Sequence, residues 1–167
     1  MPTLFIFGGL PGTGKTSLAR GLAQMKGAFF LRIDTIEQAL RDLCDLQVEG
    51  EGYHLAYRIA ADNLKLGLNV VADSCNPIEL TRREWQSVAI ANTADFVNIE
   101  VICTNADEHR RRIESRSSDI AGLQLPDWQS VVNREYHKWA DGQIVIDTAG
   151  KSIDQALVSL LRVLPNT

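Results

Sequence analysis

Gly9-Leu10-Pro11-Gly12-Thr13-Gly14-Lys15-Thr16 satisfies G-x-x-x-x-G-K-[ST] at every fixed position, a spacing whose chemistry is the holding of a nucleotide's phosphates. Glycines let backbone amides turn inward onto phosphate oxygens, and the helix that follows adds its positive N-terminus. Lys15 supplies a point charge, and the hydroxyl of Thr16 is a ligand for Mg2+. The nucleotide-binding set is therefore Gly9, Leu10, Pro11, Gly12, Thr13, Gly14, Lys15, Thr16 and Ser17, with Lys15 also acting in catalysis. Ser17 stands where a dinucleotide fingerprint needs Gly or Ala, so an NAD site is not supported.

Two acids, an asparagine and a set of arginines complete the chemistry. Asp34 falls at the carboxyl end of a predicted strand, the edge where open parallel sheets place ligands. A carboxylate there can bind an acceptor and take the proton of its hydroxyl; the alternative is that Asp34 only caps its helix together with Glu37. Arg32 is either a clamp for an anionic acceptor or a sheet-edge arginine. Asp73 follows Val70-Val71-Ala72 as an acid placed to hold Mg2+ and to face the acceptor, or as a plain turn aspartate. Asn76 reads as a helix cap that also touches substrate. Arg112 and Arg116 lie one helical turn apart and offer cations to the transferred phosphoryl group, unless they are a solvated face paired through Glu108, Glu114 and Asp119. His54, His109 and His137 have no metal-ligand spacing, and Trp85, Trp128, Tyr136 and Trp139 read as core or lid packing.

The elements that must position these residues alternate. Leu4-Phe5-Ile6-Phe7 is a continuous apolar run bounded by Gly8-Gly9, as in a strand covered on both faces. Leu18, Leu22 and Met25 recur at helical spacing up to the stop at Gly27. Residues 29–33 form a second strand, and Asp34-Thr35-Ile36-Glu37 after it is a capping-box pattern. A helix from about Gly52 to Gly67 aligns Tyr53, Tyr57, Ala60 and Leu64. Residues 70–72 make a third strand, followed by a helix start in which Asn76 caps, Pro77 takes the first turn and Glu79 the third position. A strand from Phe96 to Cys103 leads to a cap at Asn105 and the arginine-rich helix, and a strand from Gln143 to Ile146 leads to a last helix opened by Ser152. That helix lays Ile153, Leu157, Leu160 and Leu164 on the sheet. Residues 117–126 are the longest irregular stretch and the candidate lid.

A length of 167 residues fits one domain, 1–167, and 45% hydrophobic with 23% charged residues excludes the disordered and fibrous classes. The net charge of −4 disfavours a general polyanion surface. Cys44, Cys75 and Cys103 are odd in number and widely spaced, which argues against a disulfide framework or zinc site and for a reducing, cytoplasmic setting. No apolar run approaches the length of a membrane span.

Taken together the chain resembles the P-loop kinase superfamily, specifically the small phosphotransferases related to gluconate kinase, adenylylsulfate kinase, polynucleotide 5′-kinase and the zeta-toxin kinases. The resemblance is carried by Gly9 to Thr16, Ile33-Asp34, residues 71–74 with Asn76-Pro77, the Arg110 to Arg116 approach to the lid, and residues 146–150. It implies a three-layer α/β domain, nucleoside-monophosphate-kinase-like, with a five-stranded parallel sheet in order 2-3-1-4-5. It further implies ATP on the phosphate loop, an acceptor between the helices after strands two and three, and the adenine near Thr148, Ala149 and Gly150. Arg32-Ile33-Asp34 leaves one acid where adenylylsulfate and gluconate kinases carry an acidic run. The expected function is ATP- and Mg2+-dependent phosphoryl transfer to a hydroxyl of a metabolite, antibiotic or sugar nucleotide, by a monomer or homodimer. The alternatives are a polynucleotide 5′-end kinase, or a nucleotide-dependent switch or ATPase. For a guanine switch, Asn105-Ala106-Asp107 lacks the lysine of N-K-x-D.

Overall fold

The structure, a computed structural model, describes residues 1–165, so the last two residues of the expected 1–167 unit lie outside the described residues. Strand β1 (Thr3–Gly8) is buried along its whole length, as its unbroken apolar run requires. β1 is flanked by β3 (Val70–Asp73) on one side and β4 (Asp95–Ile102) on the other, with β2 (Phe29–Arg32) and β5 (Ile144–Asp147) at the edges. Every pairing is parallel and the order is β2-β3-β1-β4-β5, the expected one.

Alternation along β1 divides the interior in two. Phe5 and Phe7 point to the face covered by α1 (Lys15–Lys26) and α7 (Ile153–Val163), where they meet Leu18, Leu22 and Leu160. Leu4 and Ile6 point to the opposite face, covered by α3 (Glu51–Lys65) and α4 (Glu79–Ala91), where they meet Ala60, Leu64 and Trp85. Burying each such side chain contributes about 1.5–3 kcal/mol. Trp85 stands edge-on to Tyr57, ring centroids 4.6 Å apart at 89°, which locks α3 to α4. Ile153 departs from the expected α7 stripe, being 38% exposed, whereas Leu160 and Leu164 are buried as expected and Ala156 joins them.

Two helix starts differ from the capping patterns in the sequence. Helix α2 (Ile33–Cys44) begins one residue before Asp34, with Arg32 at the N-cap and no side-chain cap, so the Asp34–Glu37 box does not form. Helix α4 is capped by Ile78, not Asn76. The reason is that Asn76 is drawn inward. It sits at φ 46°, a left-handed conformation that Asn tolerates, and its Nδ2 donates to the Phe7 carbonyl at 2.7 Å. Arg82 then donates from Nε to the Asn76 carbonyl at 2.8 Å, and its other nitrogens bind the carbonyls of Pro77, His137 and Lys138. The caps at Asn105 and Ser152 form as expected, the latter as a reciprocal box with Gln155. Helices α5 (Ala106–Ser115) and α6 (Trp128–Val132) flank residues 117–126, which carry no helix or strand.

Candidate active site

The turn from β1 into α1 reverses the chain over the carboxyl edge of the sheet, and its glycines are what make that possible. Gly12 has φ +82°, and a Cβ there would lie 2.5 Å from Ile113 Cδ1. Gly9 has φ +143°, and a Cβ would lie 2.2 Å from the Val101 carbonyl oxygen. The loop is braced from three sides. Gly9 N donates to the Cys75 carbonyl at 3.0 Å, His109 Nε2 is 2.7 Å from the Pro11 carbonyl, and Thr148 Oγ1 donates to the Thr13 carbonyl at 2.7 Å. His109 is thus a buried support of the loop, and its ring packs edge-on to Trp128 at 5.2 Å.

Beside the loop lies a cavity of about 920 Å³. Gly9, Leu10, Pro11, Gly12, Gly14, Lys15, Thr16 and Ser17 line one end. Arg32, Asp34, Glu37, Gln38 and Arg41 line the other, and Ser117 to Asp119 with Gly122 to Pro126 pass over the top. Seven cations face this space (Lys15, Arg20, Arg32, Arg41, Arg112, Arg116 and Arg134) against three carboxylates, Asp34, Glu37 and Asp119. An acidic protein has therefore brought seven of its 17 Lys and Arg residues to one cleft, the pattern of an anion site.

Most of the residues singled out in the sequence meet here. Asp34, freed from capping, lies exposed on the cavity wall. Lys15 Nζ donates to Asp73 Oδ1 at 3.0 Å. Burial alone would lower the Lys15 pKa, but the charges of Asp73, Cys75 and Asp34 outweigh it and hold the ammonium above its ordinary value. Asp73 Oδ2 is buried and finds no hydrogen-bond partner among the described residues. An orphaned carboxylate oxygen next to the phosphate loop suits a Mg2+ ion or its water, with Thr16 as the neighbouring oxygen donor.

The two lid-approach arginines differ. Arg112 is committed, donating from Nη1 to Thr148 Oγ1 at 2.8 Å, from Nη2 to the Thr148 carbonyl at 3.0 Å, and pairing with Glu108. Arg116 lines the cavity with Nε and Nη2 buried and without a hydrogen-bond partner among the described residues. Burial pulls its pKa below the arginine norm, opposed by the Asp34 carboxylate and reinforced by Arg134.

Other expectations are revised. Asn76 is fully buried and does not line the cavity; its Nδ2 is given to the Phe7 carbonyl, while its Oδ1 is buried without a hydrogen-bond partner among the described residues. Thr13 and Thr148 are likewise buried ties that join the loop to β5, while Ala149 and Gly150 bond Asp147 and Glu108 through their amides. Several wall residues were not anticipated: Glu37, Gln38 and Arg41 from α2, Cys75, Arg134 and Arg20. For the α2 residues a signal existed, since 34, 37, 38 and 41 share one helical face. Burial raises the Glu37 pKa, with Arg41 opposing and Asp34 adding to the rise.

Among the described residues no helix is long and apolar enough to cross a membrane, and no cluster of three or more His, Cys, Asp or Glu forms a metal cage. The three cysteines are free.

Comparison with known proteins agrees with this geometry. A search of curated proteins finds no match. Among solved structures, a protein described as a candidate kinase from Chloroflexus aurantiacus is similar with a TM-score of 0.72 at 20% identity, over 98% of this chain and 99% of that one. The Mycobacterium tuberculosis APS kinase in complex with AMPPNP and APS gives 0.63 at 19% identity, over 96% of each chain. A gluconokinase from Sinorhizobium meliloti gives 0.65 at 15% identity, over 97% of this chain and 93% of that one. Residues 4–131 match the family model AAA_33, described as an AAA domain. With the phosphate loop, the 2-3-1-4-5 sheet and that match in hand, the chain belongs to the AAA_33 AAA-domain family and has the fold of the P-loop kinases.

Proposed function

We propose that this protein is an ATP- and Mg2+-dependent phosphotransferase that delivers the γ-phosphoryl group to a hydroxyl of a small-molecule acceptor. The observation that carries this reading is that Asp34, with no capping duty, faces the same cavity as Lys15, Thr16 and the unpartnered Arg116. A base, a phosphate cradle and a spare cation around one space are what an in-line transfer needs.

The loop amides and Lys15 hold the β- and γ-phosphates, with Lys15 moving off Asp73 to reach them. Thr16 and Asp73 would hold Mg2+, which would neutralise the negative charge of the phosphates. Asp34 receives the proton of the acceptor hydroxyl as the new oxygen–phosphorus bond forms. The bond from the γ-phosphorus to its bridging oxygen breaks, and that electron pair leaves on the nucleoside diphosphate. Arg116 lies over the group in transit, where its unused N–H donors meet the equatorial oxygens. Arg112, tied to Thr148, frames the nucleotide and does not act as the finger.

The reading is tested by following ADP formation from MgATP in the presence of fractionated small molecules. One or more fractions stimulate turnover in the wild type; in Asp34→Asn the stimulation is lost while nucleotide affinity is kept. Stimulation that survives in Asp34→Asn removes Asp34 as the base. Nucleotide binding with only slow ADP release in every fraction favours a nucleotide-dependent switch.

A further inference from the structure

We propose that the acceptor carries an oxyanion bound by Arg32, and that the lid carboxylate of Asp119 occupies that receptor as a tethered stand-in until the acceptor arrives. This deepens the phosphotransfer reading and rests on it.

The cleft holds more positive charge than the nucleotide uses. Lys15 and Arg116 serve the phosphates in the proposed function, and Arg112 is tied to Thr148 and Glu108. Of the four others, Arg41 pairs with Glu37, Arg134 reaches Cys75 Sγ and Arg20 is half exposed; Arg32 is the well-buried one, at the end of β2 two residues from Asp34, where a reacting hydroxyl would sit. Its side chain is only 13% exposed, and a guanidinium that far from water needs an anion. The nearest interior acid does not satisfy it: Asp73 Oδ1 is committed to Lys15, and Asp73 Oδ2 is 3.9 Å from Arg32 Nε, which stays without a hydrogen-bond partner among the described residues.

The anion that does reach Arg32 comes from the lid. Asp119 Oδ1 accepts from Arg32 Nη1 at 2.8 Å, and Asp119 Oδ2 accepts from Arg20 Nη2 at 2.8 Å. Asp119 is the one acid within 117–126, a segment with no helix or strand. The two guanidinium donors hold its pKa down to about 2, so it is an anion at any working pH. Yet its side chain is 57% exposed and Arg20's is 49% exposed, and ion pairs so open to water are easily broken. Asp119 takes Nη1 of Arg32, while Nε is buried toward Asp73 Oδ2. A free oxyanion that takes the place of Asp119 meets Arg32 Nη1 and Arg20 Nη2 together, the two donors that the lid carboxylate bridges. Binding there displaces Asp119 and couples acceptor entry to movement of the lid.

The test uses inorganic sulfate as probe on protein saturated with AMP-PNP, so that the phosphate loop is already filled, with binding followed by calorimetry. Asp119→Asn tightens sulfate binding by about three- to tenfold, because the competing carboxylate is gone, and changes AMP-PNP affinity by less than about twofold. Arg32→Gln abolishes the sulfate signal in either background. Equal or weaker sulfate binding in Asp119→Asn, sulfate binding that survives in Arg32→Gln, or no sulfate signal in any variant overturns the proposal. Failure of AMP-PNP to bind counts against the phosphotransfer reading instead; the sulfate comparison between Asp119→Asn, Arg32→Gln and wild type is then made without nucleotide, where sulfate on the phosphate loop is common to all three and only the Arg32-dependent part differs.

Discussion

Replacing Lys15 by Met leaves Asp73 as a carboxylate that is 1% exposed, with Arg32 Nε at 3.9 Å as its remaining cation. At an effective dielectric near 20, opposite charges about 3 Å apart attract by ~5–6 kcal/mol, and desolvation offsets part of that. Breaking a buried pair from one side costs about 3–5 kcal/mol. Because Arg32 compensates in part, the expected loss is near the lower end, about 3 kcal/mol, or a fall in Tm of roughly 10 °C for a chain of this size. Urea unfolding followed by tryptophan fluorescence measures it, with an unchanged m-value showing that the folded state is intact. In Lys15→Met/Asp73→Asn the orphaned charge is gone, so more than half of the stability returns while nucleotide affinity does not. Lys15 titrates above its ordinary value in the folded state, so its contribution is fully present below about pH 10.4 and disappears as the pH rises through the folded pKa. A Lys15→Met protein within about 0.5 kcal/mol of wild type, well under the cost of a broken buried pair, or a double variant no more stable than the single one, refutes the pairing as a buried, coupled unit.

Further consequences concern catalysis and the loop. Asp34→Asn lowers acceptor phosphorylation by about 10²–10⁴-fold, the range for a positioned general base, with nucleotide affinity unchanged by titration. Arg116→Met lowers kcat by roughly 10³-fold or more without lowering Tm, since the guanidinium it removes is buried and poorly paired; a large loss of Tm would mean Arg116 is structural. Gly12→Ala puts a methyl group against Ile113 at φ +82° and costs about 1–3 kcal/mol in chemical denaturation. Ile113→Ala is itself destabilising because Ile113 is buried, but in that background Gly12→Ala costs less than in the wild type, since the contact is gone and the backbone strain remains.

The sheet was legible because β1 and β3 are unbroken apolar runs at the centre of a parallel sheet, where burial leaves no alternation to interpret. The phosphate loop was legible because its geometry depends on glycines at fixed spacing. What misled were the caps: Asp34-x-x-Glu37 and Asn76-Pro77 have capping composition, yet neither side chain caps its helix. Asp34 lies past the start of its helix and faces the cleft, and Asn76 closes a buried bond to Phe7, 69 positions away. Local pattern holds no record of such partners. The same holds for Arg112 and Arg116, equivalent in sequence and distinguished only when Thr148 comes within reach of one of them. The 34-37-38-41 stripe was available as a helical face, and the capping pattern obscured it.

Phosphoryl transfer to a small acceptor is the reaction on which every residue role above depends. It is tested most directly by incubating the protein with γ-labelled ATP, Mg2+ and a fractionated metabolite and antibiotic panel, and identifying labelled products by mass spectrometry. The expected result is a new phosphorylated small molecule that is absent with Lys15→Met and with Asp34→Asn. Nucleotide bound and slowly hydrolysed with no labelled acceptor across the panel, or label appearing equally with Asp34→Asn, would contradict it.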